Sequence, residues 1–518
     1  MNRVAFIQAL EKIVGKKYVV QDKAALMLYE ADGCIMETHA PDVVIMPTST
    51  EEVAAAIKLA REYDVPVTAR GSGTGLSGGS TPVFGGLVIT TTRMNRVLEL
   101  DTRNNRVRVQ PGVINFELSQ YLMTHGYHFA ADPSSQKACS IGGNIAMNSG
   151  GPHCVKYGVT GSHVLGLKLV LEDGSTMWTG DGTPDGIGYD LTGVNVGAAG
   201  GFGFVSEAWL RIMRMPESVR VVLALFPEIR GAAEAVSEVI ASGFLPTAME
   251  MMDKWVIKAV NKSYNLGIPD AAKAALIIEV DGVDEGLDKL LAEIVSICEK
   301  RGALEIRPAK TPEEQTNAWA ARKNAFGAMG RVARSYYLVD TVVPRTKLPD
   351  VLEQVQRISE KYDLPVANVF HAGDGNLHPL VLYDRTRGDE DERAHKIATE
   401  VMELCVSVGG VISGEHGVAL EKKNYMPALF NDDDLGAMAA LHECFNASKM
   451  FNPGKTFPDS CPPGALVARR RRLLGDKAGA DAVHIGRAAA LANGGHARHG
   501  HHDQQQALDR VVKQGAWV

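Results

Sequence analysis

Cysteine is scarce and scattered in this chain, neither charge sign dominates, and long apolar runs are missing. Each shortage excludes a class of function. The seven cysteines (34, 139, 154, 298, 405, 444 and 461) are odd in number and never spaced Cys-x-x-Cys. That usage excludes a disulfide framework, a zinc ribbon or an iron–sulfur cluster built by this chain, and it fits a reducing cytoplasm. Net charge is −7 and the basic residues are dispersed outside one run, so the footprint of a nucleic-acid binder is missing. The opening MNRVAFIQALEKIVGKK breaks at Glu11 and Lys12 before a signal-peptide core forms, and no stretch approaches ~18 uninterrupted apolar residues. The expectation is a cytoplasmic chain without a transmembrane segment that acts on a small molecule. A peripheral place at the inner face of the membrane is left open, as is a homo-oligomer.

What is present suffices for more than one core. With 518 residues and 45% apolar content, two or three domains are expected. Residues 42–48 (DVVIMPT) read as a buried strand; Ser49 and Glu52 have capping-box spacing, and Val53, Ile57 and Leu59 carry an apolar-periodic helix onward. VPVT reads as a second strand. Between 71 and 210, segments such as GGLVITTT, RVRVQPG and VLGLKLVLEDG have strand composition. From 218 onward, VVLALF and AALIIEV each accompany a helical stretch, which predicts an antiparallel sheet covered on one face by helices. The expected fold class is α+β, with a first domain over 1–217, a second over 218–432 and a C-terminal helical segment over 433–458 returning to the first. Residues 459–518 hold four consecutive arginines, five histidines, and nine Lys/Arg against five Asp/Glu. They are expected to form a disordered, solvated tail.

Arg70-Gly-Ser-Gly-Thr-Gly-Leu-Ser-Gly-Gly79 places five glycines in nine positions directly after a strand. Such a loop can turn several N–H groups toward one anion, which makes Arg70, Gly71, Ser72, Gly73, Thr74 and Gly75 candidates for a phosphate cradle. The loop contains a literal G-x-G-x-x-G, with Glu99 in the acidic position of a dinucleotide fingerprint. The match is rejected, because Pro82, Gly85, Gly86 and strand-like LVITTT stand where the fingerprint needs a helix. A second cluster runs from Pro133 to Gly151 and includes Ser140, Gly142, Gly143, Asn144 and Gly150. Its small residues let backbone approach a flat ligand closely. A third runs from Gly197 to Glu207 and includes Val205.

The sharpest chemistry lies in His371-Ala-Gly-Asp-Gly-Asn-Leu-His378. On a straight strand this spacing puts the histidines on opposite faces, whereas Gly373-Asp374-Gly375 permits a turn that brings both to one point. With Glu415 of Ser-Gly-Glu415-His416-Gly417 they form a donor set for zinc or another first-row divalent ion. His416 is the candidate general base, since imidazole titrates near ~6.5. On these residues alone a metal-dependent hydrolase is an alternative.

In this order, the glycine clusters and the two histidine segments resemble the vanillyl-alcohol oxidase/PCMH superfamily, and within it the branch of glycolate oxidase flavin subunits and D-lactate dehydrogenases. The resemblance covers residues 40–458. It implies a PCMH-type FAD-binding domain joined to a ferredoxin-like antiparallel-sheet cap domain that carries the metal site. Residues 70–79 would hold the pyrophosphate of FAD, 140–144 and 150–157 (with Tyr157) the isoalloxazine, and Val205 the adenine end, with Asn452 contributing from the C-terminal segment. Covalent members carry a histidine in or beside the first loop; none stands in 70–79, so dissociable FAD is implied. The chain departs from the usual Gly-Ser-Glu-Gly-Thr-Leu-Gly-Ile by having Gly-Ala-Ala-Gly-Gly-Phe-Gly-Phe at 197–204.

The same resemblance implies zinc or manganese on His371, His378 and Glu415, and Arg322 in Trp-Ala-Ala-Arg-Lys as the cation that grips the substrate carboxylate. The implied reaction oxidises a small D-2-hydroxy acid of the lactate or glycolate class to the 2-keto acid, with electrons passing to an external acceptor (a quinone-linked partner, an iron–sulfur subunit or a cytochrome). Relatives acting on 2-hydroxyglutarate hold its distal carboxylate with Lys and Asn where this chain has Leu338 and Leu380. An unpaired carboxylate is costly to desolvate, so a monocarboxylate is favoured. A flavin oxidase of another alcohol or sugar acid, and a non-catalytic flavin-fold subunit, are the alternatives within the same fold.

Overall fold

The computed structural model describes residues 3–463 apart from 35, 36, 185, 265 and 462. All but the first few residues of the expected tail therefore lie outside the described residues.

Three sheets organise the chain. In the first, Val43–Ile45, Leu87–Thr90 and Val67–Arg70 run parallel, with Val19–Val20 antiparallel at the edge. The crossover helix Thr50–Glu62 starts where expected: the Ser49 side chain accepts the Glu52 N–H, and Glu52 accepts the Thr48 N–H in return. Val53, Ile57 and Ala60 face its core. The second sheet is five-stranded and antiparallel, in the order Val97–Asp101, Arg106–Val109, Phe204–Arg211, Val164–Val170, Thr176–Thr179. Near the C-terminus, Phe451 bridges Val67, so the last described segment closes onto the first sheet.

The third sheet begins as a βαββαβ unit: Ser218–Phe226, helix Ile229–Ala241, Ala248–Asp253, Ala274–Gly282, helix Leu287–Lys300 and Glu305–Ala309. In space the fourth strand lies beside the first, then the third, then the second, which is the ferredoxin-like order. Ala248–Asp253 then pairs antiparallel with Val366–His371. The sheet continues from there through Asn376–Leu377 and Pro379–Tyr383 into the strands Thr341–Val342 and Ser335–Leu338.

Helices cover both faces of this sheet, not one. Ile229–Ala241, Leu287–Lys300, Leu348–Tyr362 and Glu390–Ser407 pack on the side of Val222, Ala224 and Phe226. Lys254–Tyr264, Pro312–Lys323 and Ala325–Met329 pack on the side of Val221 and Leu225. The cause was visible in the strands themselves, since VVLALF and AALIIEV are continuous apolar runs, and a strand with one wet face alternates instead. Among the described residues no helix is long and apolar enough to cross a membrane.

Candidate active site

A cleft of about 650 Å³ runs from the first glycine loop to His378, Glu415 and His416. Its wall includes Arg70, Gly71, Ser72, Gly73, Thr74 and Gly75, then Pro133, Ser140, Gly142, Gly143 and Asn144, and Val205. No helix follows the first loop; turns lead directly into Leu87–Thr90, as the rejection of the dinucleotide fingerprint requires. Gly73 and Gly78 adopt φ of +71° and +78°, a region open to glycine. The Arg70 guanidinium folds across Gly73 and donates to the Ala31 carbonyl at 2.8 Å, so it fixes the loop from behind. Asn144 is 1% exposed and its Nδ2 has no partner. A buried donor left over on a cleft wall is what a bound polar ring would satisfy.

Three expected cofactor residues stand elsewhere. Gly150 lines a smaller pocket of about 210 Å³ behind Glu415, with Cys154 and Asp374. Tyr157 donates to Asp281 at 2.6 Å across the seam between the sheets and is not on the cleft wall. Asn452 donates to the carbonyls of Gly79 and Ala199 and accepts from Thr68. It ties the first and third glycine clusters together.

The histidine turn forms as the spacing suggested. His371 ends its strand, pairs in register with Asn376, and meets His378 with ring centroids 5.1 Å apart. Gly375 takes φ +80°, and a Cβ there would strike the Val343 carbonyl. Nε2 of His371 and Nε2 of His378 lie 3.2 and 3.0 Å from the same Glu415 oxygen. Three ligand atoms thus converge within 4.8 Å of one another. His371 Nδ1 is occupied by Glu250 at 2.7 Å, which leaves Nε2 as the nitrogen on the side of Glu415 that a cation could take. Burial opposes charge on His371, but Glu250 and Glu415 outweigh it and raise its pKa well above the usual value. The same negative potential attracts a cation.

Glu415 and His416 are aimed by Asp340. Its carboxylate accepts the backbone N–H groups of Gly414, Glu415 and His416 at 3.1, 3.3 and 3.1 Å, the Ser413 hydroxyl at 2.9 Å, and Lys422 Nζ at 2.8 Å. His416 stacks on His378 at 5.1 Å and 3°. Burial pushes its pKa down to about 4, against the pull of Asp340, so it is neutral at pH 7.

Arg322 departs from the expectation that it faces the substrate. It is 1% exposed, absent from the cleft wall, and lies 2.7 Å from the Glu250 carboxylate by Nη2, off the hydrogen-bonding direction. Its Nε and Nη2 have no hydrogen-bond partner. Asp340, Glu250 and Lys422 were missed in the sequence. The signal available was a lone carboxylate inside each apolar strand run, AMEMM and LVDTVV, because such groups are almost never buried unless paired.

Residues 41–180 match the family described as FAD binding domain, and residues 215–456 match FAD linked oxidases, C-terminal domain. The chain is 40% identical over 458 residues to the glycolate oxidase subunit GlcD of Escherichia coli K12, covering 88% of this chain and 92% of that protein. The chain belongs to the FAD-linked oxidase family. Within this family it is also 37% identical to the glycolate oxidase subunit GlcD of Bacillus subtilis, over 87% of this chain and 96% of that one. Identity to a D-lactate dehydrogenase of Anaerostipes hadrus is 30%, again over 87% and 96%. A solved structure of p-cresol methylhydroxylase superposes with a TM-score of 0.74 at 18% identity, over 88% of this chain and 97% of that one, a likeness of fold. The protein is an FAD-linked oxidoreductase.

Proposed function

We propose that this FAD-linked oxidoreductase oxidises a small D-2-hydroxy acid, of the lactate or glycolate class, to the 2-keto acid. The observation that carries the reading is the convergence of His371, His378 and Glu415 beside a neutral His416 at the end of the glycine-lined cleft. The donor set suits zinc or manganese, the unpaired Asn144 donor with the small residues around it suits FAD, and residues 70–79, which hold no histidine, suit one held without a covalent bond. The chemistry these groups supply when bound is hydride acceptance by FAD and polarisation of the substrate hydroxyl by the metal.

The chain's own groups do the rest. His416 takes the hydroxyl proton at Nε2, the nitrogen on the Glu415 side, while its Nδ1 is turned to Asp340. Arg322, which lies off the cleft wall with Nη2 against Glu250, supplies the cation for the substrate carboxylate, with Nε as its unpartnered donor. Leu338 lines the cleft and pairs in register with Leu380, and neither of these two side chains offers a partner to a second carboxylate. Electrons leave to an external acceptor, a reading supported by relatives that are named as subunits.

Turnover with an artificial electron acceptor is the test of substrate class. D-lactate or glycolate is expected to show the highest kcat/KM in a panel that includes L-lactate and D-2-hydroxyglutarate. A preference for the dicarboxylate would overturn the reading of Leu338 and Leu380.

A further inference from the structure

Glu250 is a carboxylate with no exposed surface, set in the sheet face that otherwise carries Ala248 and Met252, in the apolar cluster with Val256 and Ile257 of the helix Lys254–Tyr264. Burying a charge there is costly unless it is paired, and Glu250 is paired on both oxygens. Across the antiparallel ladder its Cα partner is His371, so the backbone itself sets the two side chains side by side. Oε1 lies 2.7 Å from His371 Nδ1, and Oε2 lies 2.7 Å from Arg322 Nη2. One side chain therefore touches the metal-ligand candidate and the carboxylate clamp candidate, while touching neither the cleft nor the convergence point of the three ligand atoms.

We infer that Glu250 is a positioning residue for both halves of the reaction centre, holding His371 in its ligating tautomer on one oxygen and Arg322 on the other. The inference rests on the proposed function. With Nδ1–H donated to Glu250, the lone pair of His371 sits on Nε2, the nitrogen that faces Glu415 and would be offered to an ion. The negative partner also raises the imidazole's basicity as a ligand. On its other oxygen the same carboxylate fixes where the guanidinium of Arg322 lies. Losing the charge therefore disturbs metal binding and substrate binding together, although Glu250 contacts neither metal nor substrate.

The test is calorimetric titration of Zn2+ into the chelator-stripped flavoprotein, for the unsubstituted enzyme and for Glu250→Gln, with KM for D-lactate measured at saturating Zn2+. Glu250→Gln is expected to weaken Zn2+ binding on the order of tenfold to a hundredfold and to raise KM even when the metal is saturating. Glu250→Asp, which keeps the charge on a shorter stem, recovers part of the Zn2+ affinity; it also carries the comparison if the glutamine variant does not fold. Unchanged Zn2+ affinity in the variants, or an unchanged KM at saturating Zn2+, overturns the inference and leaves the proposed function standing. If the unsubstituted flavoprotein binds no Zn2+, the metal reading fails and the inference goes with it.

Discussion

His416→Ala is expected to lower the rate of flavin reduction by hydroxy acid about 10²- to 10⁴-fold, the usual contribution of a positioned general base. The expectation rests on place as much as on chemistry. His416 stacks flat on His378 and stands 3.8 Å from Glu415; it lies outside the group of His371, His378 and Glu415, and converges instead with Asp340 and His378. Removing it takes away the proposed proton acceptor and leaves His371, His378 and Glu415 in place. Stopped-flow reduction with flavin and metal content measured in parallel separates the two roles. An unaltered reduction rate removes His416 from the chemistry, and loss of metal in step with activity makes it a ligand instead of a base.

Asp340→Ala is expected to cost about 3–5 kcal/mol of stability, the range for breaking a buried ion pair by removing one partner. Lys422 has no exposed surface and would lose its carboxylate, while three backbone N–H groups in the 414–416 turn would lose their acceptor. Against a total near ~5–15 kcal/mol, that loss takes the C-terminal unit close to unfolding, and urea denaturation followed by circular dichroism measures it. Asp340→Asn, which keeps an acceptor oxygen, lies between. The sign of the pH dependence follows from the carboxylate itself. Burial favours its neutral form, but Lys422, His416 and His378 outweigh burial and hold its pKa far below the usual range. Asp340 is thus charged in the fold at a pH where the unfolded chain has begun to bind a proton. Its contribution is fully present above the ordinary aspartate value of ~3.9 and fades only as pH falls below that. An Asp340→Ala protein as stable as the parent would mean that the turn holds its shape without this carboxylate.

How far the sequence could be read follows from the range of the forces involved. The helix start at Ser49, the glycine loop without a following helix, and the turn that joins His371 to His378 are local, and each rests on residues a few positions apart. Glu415 was attached to that pair across 37 residues because a strand-then-turn segment repeated the pattern. The contacts that aim these groups are of another kind. Glu250 reaches His371 over 121 residues and Asp340 reaches His416 over 76, and no local pattern announces which strand will lie beside which. The register of Ala248–Asp253 against Val366–His371 decides the first contact, and the packing of the 413–417 turn decides the second. Arg322 illustrates the same limit. Its segment identified the residue, but the carboxylate it pairs with sits on another element far back in the chain, the strand Ala248–Asp253. The second helical face of the large sheet was in principle legible, since unbroken apolar strands need cover on both sides.

The proposed reaction is a metal-assisted hydride transfer from a small hydroxy acid to bound flavin. Anaerobic mixing of the purified flavoprotein with D-lactate or glycolate, before and after removal of divalent ions by a chelator, tests it most directly through the flavin absorbance. The expected result is bleaching that is lost on chelation and restored by zinc or manganese. Bleaching that survives complete chelation would contradict it, and would return the two histidines and Glu415 to the role of a buried polar cluster.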